Sequence, residues 1–507
     1  MPPTTPSTTT TPSALAPILD HARQHPDRPA LIHGEQALTY GQLAERFERI
    51  AETLRNAGLI PDGASAPRVG LLCEDGFEYV LLSLGILRTG ACLVPIAGEL
   101  SAPERRKLVE ATALHSIVLG PGAQWDDAPG QRIALDLADA APPHIDAAAM
   151  INVHETHASP PDFDEAQLAA FGPAFIRFSS GTTGRSKGVI ISHRRLLERI
   201  DAANKALQIG PGDRVIWILP MAHHFAVSMM LYLIKGAATN IVGSHLSKDI
   251  IEAARAHGGT VLYGSPFHHG MLAADNSGLD WPDLRLAVST AMALKADTAQ
   301  KFAERFGAPL CQALGIIEAG LPIINLAAPR DKPESIGRPT PDFEIDLRDE
   351  EGNTVPPGEV GELRLRGPGM FDGYLLPWQP SESALVDGWL RTGDLARRDE
   401  DGDVFLMGRT HSVINVAGLK CFPEEVEAVL NEHPDVRESR VYGRTHPRMG
   451  AVPAAEVVAR DSENPPSPAI LSAYCREMLA AYKRPLQFTF VESLPRTASG
   501  KLKRSAT

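Results

Sequence analysis

The sequence is poor in cysteine, in aromatic residues and in unbroken apolar runs. Its five cysteines are Cys73, Cys92, Cys311, Cys421 and Cys475. None forms a CxxC pair, and an odd count gives no disulfide framework. Buried, reduced thiols are the plain expectation. No apolar stretch reaches the length of a membrane span. The most apolar region, VGLLCEDGFEYVLLSLGILRTGACLVPIA, is interrupted by Glu74, Asp75, Glu78 and Arg88. A basic excess is missing too. The formal net charge of −13 argues against a general nucleic-acid binder, since nothing offsets phosphate repulsion. The opening MPPTTPSTTTTPS lacks a basic segment followed by an apolar core, so it does not resemble a secretory signal. Its Pro/Thr content predicts a disordered tail over residues 1–13. A cytoplasmic protein with no membrane span is expected.

What is present fits a globular enzyme. Hydrophobic residues make up 43% and charged residues 22% of the 507, enough for a large core and more than one domain. The charge is uneven: from Arg409 onward 14 Lys+Arg face 11 Asp+Glu, a balance of +3, which leaves −16 on the rest. Such a tail domain is compatible with an anionic ligand.

The segment LTYGQLAERFERIAETLRNAGL predicts a helix. Thr39 caps it with Gln42 as its capping-box partner, and Leu43, Phe47, Ile50 and Leu54 share one face. Strand-like runs then alternate with helical patterns: RVGLLC, ACLVPI, SIVLG, AFIRFSS, RVIWILP, TNIVGS, TVLYGS and LRLAVS. This alternation predicts an α/β fold with largely parallel sheets. The stretch 121–173, rich in Ala, Pro, Gly and Asp, predicts nothing definite. From about Pro341, short alternating strands with EEGN and PPGE turns predict antiparallel hairpins or a small barrel. A further helix starts at Pro423, with Glu424 and Glu425 at its positive end. We expect an N-terminal domain over 14–408 and a small, mobile α+β domain over 409–507.

The most informative loop is FSSGTTGRSKGVIISH (178–193). Gly181, Gly184 and Gly188 permit close backbone approach, and Ser179, Ser180, Thr182 and Thr183 place hydroxyls beside successive backbone N–H groups. Concave nests of this kind bind phosphate. The loop joins two strands and lacks the Gly–Lys step of GxxxxGK[ST], so it is not a Walker element.

The string resembles the phosphate loop of the adenylate-forming superfamily, which includes acyl- and aryl-CoA synthetases, amino-acid adenylation domains and beetle luciferases. Arg185 and Ser186 replace that family's usual x-Pro. Four further motifs follow in the family's order: QALGIIEAG (312–320), GELRLRGPGMFDGY (361–374) with GWLRTGDLARR (388–398), GRTHSVINVAGLKCFPEEVE (408–427) and LPRTASGKLKR (494–504). The resemblance implies that Ser179, Ser180, Gly181, Thr182, Thr183, Gly184 and Lys187 hold the phosphates of ATP. It implies that Glu318 helps bind Mg²⁺, a hard cation suited to carboxylate and phosphate oxygens. Asp394 and Arg409 then hold the ribose, and His411 is the pivot of the mobile domain, with Gly418 and Lys420 beside the path to its second conformation. Lys501 bridges the reacting carboxylate and the α-phosphate. Leu314 stands where the family has a nucleotide-packing Tyr, and Ile317 where it has Thr.

The implied reaction is carboxylate plus Mg·ATP giving acyl-AMP and pyrophosphate, then transfer to a thiol. Coenzyme A is the expected acceptor. A carrier-protein phosphopantetheine is the alternative, and a silent acyl-adenylate-binding protein is an alternative of another class. For the acid, no Asp or Glu lies between Asp213 and Asp249, so no carboxylate is available there to pair a substrate ammonium. The segments MAHHFAVSMM, YGSPF, STAMAL and ALGIIEAGLP favour a fatty or aromatic acid. His223 is a candidate to gate this pocket or touch the acyl group. His268 and His269 are expected to be structural.

Overall fold

The computed structural model describes residues 13–126, 128–137, 148–153, 162–178, 187–416, 419–446, 449–496 and 502, with backbone only at 411, 415, 419, 420 and 450. Two nine-stranded sheets dominate the large N-terminal domain. In the first, six parallel strands run in the order Leu310–Ile316, Leu286–Ser289, Val261–Gly264, Arg214–Trp217, Ala238–Ile241 and Pro29–His33. Antiparallel strands close both of its edges. The second sheet centres on Arg68–Leu72, flanked in parallel by Cys92–Pro95 and Ser116–Leu119. Pro173–Phe178 pairs in parallel with Cys92–Pro95, and antiparallel with Gly188–Ser192.

All eight predicted runs are strands. The reason is burial on both faces, which gives parallel strands near-continuous apolar sequence. Arg68–Leu72, Ser116–Leu119 and Leu286–Ser289 are buried throughout. Helices fill the space between and around the sheets. Helix Tyr40–Asn56 begins at the predicted cap: the Thr39 hydroxyl accepts from the Gln42 N–H and the Gln42 side chain accepts from the Thr39 N–H. Leu43, Phe47, Ile50 and Leu54 are fully buried along one face.

The unpromising stretch holds the edge strand Gln131–Leu135, its inner neighbour Ala148–Asn152, and helix Glu165–Phe171. The strands Glu344–Arg348, Val360–Arg366, Leu390–Arg398 and Val404–Arg409 form a four-stranded antiparallel sheet, as the turn chemistry predicted. The small C-terminal domain has its own sheet, built on the long antiparallel pair Val436–His446 and Gly450–Ala459. Helix Pro423–Glu432 packs Val426 and Leu430 into its core, with Pro423 in the first turn. Among the described residues no helix is long and apolar enough to cross a membrane. The cysteines are free, and four of the five are buried.

Candidate active site

The ends of parallel strands from the two sheets meet, as Met221 after Arg214–Trp217 bonds Asp75 after Arg68–Leu72, and the crevice outside such ends is the usual place for a ligand in open α/β sheets. Strand Leu310–Ile316 runs into a tight turn carrying Glu318 and returns as Gly320–Ile324. The turn is pinned from behind by Arg199. Its Nη1 donates to the Ile317 carbonyl (2.8 Å), Nη2 to the Glu318 carbonyl (3.3 Å) and Nε to the Gly369 carbonyl (2.9 Å). Arg199 is only 3% exposed. Burial lowers its pKa to about 10, while Asp372 and Glu318 oppose that fall, so it remains a cation at neutral pH. Gly369 has φ +64°, and a Cβ there would meet the Arg199 backbone nitrogen at 2.3 Å, so only glycine fits.

Glu318 is half-buried. The Tyr374 hydroxyl donates to its Oε1 at 3.0 Å. The exposed Lys187 places its ammonium 4.2 Å from the centroid of the same ring. Lys187 is the last residue of the glycine-rich loop. The other predicted loop residues, Ser179, Ser180, Gly181, Thr182, Thr183 and Gly184, lie outside the described residues, and so does Lys501. The same holds for Gly418 and for the side chains of His411 and Lys420.

Asp394 and Arg409 come together as neighbours in register across an antiparallel pair. Arg409 Nε lies 2.8 Å from Asp394 Oδ1. Asp394 is buried and Arg409 exposed, so the pair presents a fixed carboxylate under a reorientable guanidinium. The Thr392 hydroxyl fixes the turn: it accepts from the Asp394 N–H (3.0 Å) and donates to the Leu363 carbonyl (2.8 Å).

His223 lies in a short helical turn beyond strand Arg214–Trp217. Three contacts tie that turn to the second sheet. Asp75 Oδ1 accepts from the Met221 N–H (2.9 Å), the Arg177 guanidinium donates to the His223 carbonyl, and His223 Nε2 meets Glu99 Oε1 at 2.5 Å. Hydrogen bonding to His223 holds the Glu99 carboxyl below its ordinary range, against the effect of partial burial. Burial raises the pKa of Asp75, opposed by the Met221 N–H. The chain then makes a π-helical turn, Phe225–Met229, a feature frequent at functional sites.

Beyond this turn lies a cavity between helix His193–Leu207, the 225–234 helical segment and strand Gly320–Ile324. Val227, Ser228, Tyr232, Tyr263 and Leu321 line it, with Arg199 at its edge. Val227 with Ser228, Tyr263, and Gly320 with Leu321 come from three of the four segments expected to line a pocket, but at about 20 Å³ this cavity holds little more than one water. The STAMAL segment contributes none. Leu314, half-buried, packs against the large core. His269 is fully buried and bonded to the Val288 carbonyl (3.0 Å), and His268 is bonded to the Ser265 hydroxyl (2.7 Å).

Glu318 suits a hard divalent cation. Its Oε2 has no hydrogen-bond partner among the described residues, and its Oε1 is oriented by a neutral donor rather than cancelled by a cation. The one cluster of at least three ligating groups among the described residues is Asp399, Asp401 and Asp403. It already surrounds the Lys332 ammonium, at 2.7, 2.6 and 3.0 Å. Sequence patterns gave no sign of Arg199, Arg177 or Glu99, and they showed Tyr374 only as the end of a motif.

The AMP-binding enzyme family profile matches residues 18–375, and the AMP-binding enzyme C-terminal domain matches residues 425–501. A sulfoacetate–CoA ligase of Cupriavidus necator is 30% identical over 499 residues, which cover 96% of each chain. A fatty acid–[acyl-carrier-protein] ligase of Streptomyces coeruleorubidus, ScoC, is 30% identical and covers 96% of this chain and 93% of its own. Among solved structures, the amide bond synthetase McbA of Marinactinospora thermotolerans superimposes with a TM-score of 0.79 at 26% identity, covering 97% of both chains.

Proposed function

This chain belongs to the AMP-binding enzyme family and is an acid–thiol ligase by class, and from that premise we propose that it activates a fatty or aromatic acid with ATP and passes the acyl group to a thiol. The observation that carries this reading is the grouping of Lys187, Tyr374 and Glu318 at the crevice. A lysine at the end of a phosphate-type loop lies over the Tyr374 ring, and a carboxylate accepts from the Tyr374 hydroxyl.

Carboxylates resist attack by thiols at neutral pH because oxide is the leaving group. Converting the acid to acyl-AMP supplies AMP instead. The protein has little covalent chemistry to perform; it positions groups and neutralises charge. In this reading residues 179–184 and Lys187 hold the triphosphate, and Glu318 supplies a ligand to Mg²⁺. Magnesium bound there offsets phosphate charge during loss of pyrophosphate. Asp394 accepts from the ribose hydroxyls, with Arg409 beside it. Lys501 stabilises the charge that develops as the carboxylate attacks the α-phosphate. Leu314 lies beside the nucleotide and forgoes the ring stacking of a tyrosine. His223, held by Glu99, gates the acid's entry or touches the acyl group.

No carboxylate is available between Asp213 and Asp249 to pair an ammonium, which disfavours amino acids. Coenzyme A is the proposed acceptor. The relative that loads a carrier protein and the net positive C-terminal domain support carrier-protein phosphopantetheine as the second reading.

The test is ATP–pyrophosphate exchange against fatty, benzoic, cinnamic and amino acids, without thiol. Exchange is expected with a fatty or aromatic acid, and Lys501→Ala is expected to abolish it while ATP still binds. Exchange with amino acids alone, or undiminished exchange in Lys501→Ala, would sink the reading.

A further inference from the structure

Lys187 and Glu318 carry opposite charges and both contact Tyr374, yet no ion pair joins them among the described residues. The ammonium lies over the Tyr374 ring, and the Tyr374 hydroxyl donates to the carboxylate. We propose that Tyr374 is a positioning residue: a spacer that keeps Lys187 and Glu318 from neutralising each other, so that one remains free for phosphate and the other for the metal. This rests on the reading of Glu318 as a metal ligand.

The backbone builds this arrangement deliberately. Tyr374 is 8% exposed and lies opposite Val189 in register with strand Gly188–Ser192. The Leu375 N–H donates to the Gly188 carbonyl at 2.6 Å, one residue from Lys187. On the other side, the Phe371 N–H donates to the Glu318 carbonyl at 2.8 Å. The Gly369 carbonyl shares Arg199 with the Glu318 turn. One short segment, 369–375, therefore contacts the end of the phosphate loop and the metal carboxylate together. The close packing of Phe371 on Tyr374, centroids 4.7 Å apart, limits ring rotation.

A neutral donor on one carboxylate oxygen orients the other without competing for the cation. That is how partners behind metal ligands commonly act, and their loss costs about tenfold or more in metal affinity. A ring face attracts an ammonium more weakly than a carboxylate does, so Lys187 can leave it for phosphate.

The experiment is calorimetric titration of ATP into the full-length protein, with EDTA and with graded Mg²⁺. Tyr374→Phe keeps the ring and loses the hydroxyl. Its half-saturating Mg²⁺ concentration should rise about tenfold, with ATP affinity in EDTA unchanged. Tyr374→Leu removes the spacer, so Lys187 closes onto Glu318. ATP affinity in EDTA should then fall as well, and adding Glu318→Gln to Tyr374→Leu should restore it. Purely structural damage would lower thermal stability without this pattern. A Tyr374→Phe protein with the wild-type Mg²⁺ requirement, while Glu318→Gln raises that requirement, would overturn the spacer role alone. If Glu318→Gln itself leaves the Mg²⁺ requirement unchanged, the metal role of Glu318 falls, and the proposal falls with it.

Discussion

Buried histidines and arginines carry much of the chemistry that composition conceals. His269 has its ring edge-on to Phe302, with centroids 5.3 Å apart, and its Nε2 donates to the Val288 carbonyl. Burial lowers its pKa to about 4. The unfolded chain, with an ordinary imidazole near 6.5, therefore takes up a proton that the folded chain refuses. Stability is full above that value and is lost as the pH falls from 6.5 towards 4. This group should cost on the order of 3 kcal/mol across that window. His269→Gln keeps a donor for the Val288 carbonyl but cannot titrate. Its urea midpoint should fall less steeply with pH than that of the wild type; parallel curves would mean that His269 does not contribute. At this scale the motifs singled out Glu318, Asp394 and Arg409 as candidates, and the structure brings the last two within 2.8 Å. Arg199 was invisible, because an arginine in an amphipathic helix ordinarily points to water. Only the fold shows it folded back onto three carbonyls.

Among the elements, legibility followed burial. The parallel strands were readable because both faces are covered, so their apolar runs are unbroken. The edge strand Gln131–Leu135 was not, because it is mostly exposed and its side chains show no period. Strand order in the sheets was equally hidden, since nothing local in an apolar run names its neighbour. Helix Tyr40–Asn56 was readable at both levels, by its cap and by its face, and the two signals separate in energy. Phe47→Ala removes a fully buried ring and should cost about 3–5 kcal/mol. Thr39→Ala loses one side of the capping box and should cost about 1 kcal/mol. Denaturant unfolding of the two variants checks the ranking. Equal costs would mean that the helix is held by its end and not by its packing.

For the whole molecule, the proposed reaction needs two arrangements of one active site. Lys501 must reach the crevice for adenylation and withdraw before a thiol can enter. We place the pivot at His411, just after strand Val404–Arg409. At the junction Gly408 has φ +147°, and a Cβ there would meet the Glu424 carboxylate at 2.6 Å, so the two domains pass closely. His411→Pro restricts backbone rotation at this point. It should leave pyrophosphate exchange within about twofold of wild type and reduce thioester formation at least tenfold, an effect of about 1.4 kcal/mol or more on the second step. Single-turnover transfer from pre-formed acyl-AMP measures it. Unimpaired transfer would move the pivot elsewhere.

Lys332 grips the three aspartates of the hairpin that leads into strand Val404–Arg409, and Arg338 holds the last of them as well. These contacts anchor the hairpin just before the proposed pivot. In the proposed cycle a swing of residues 409–507 would then fall on the few bonds after strand Val404–Arg409, as in a door and not in a spring, and would keep two working positions distinct.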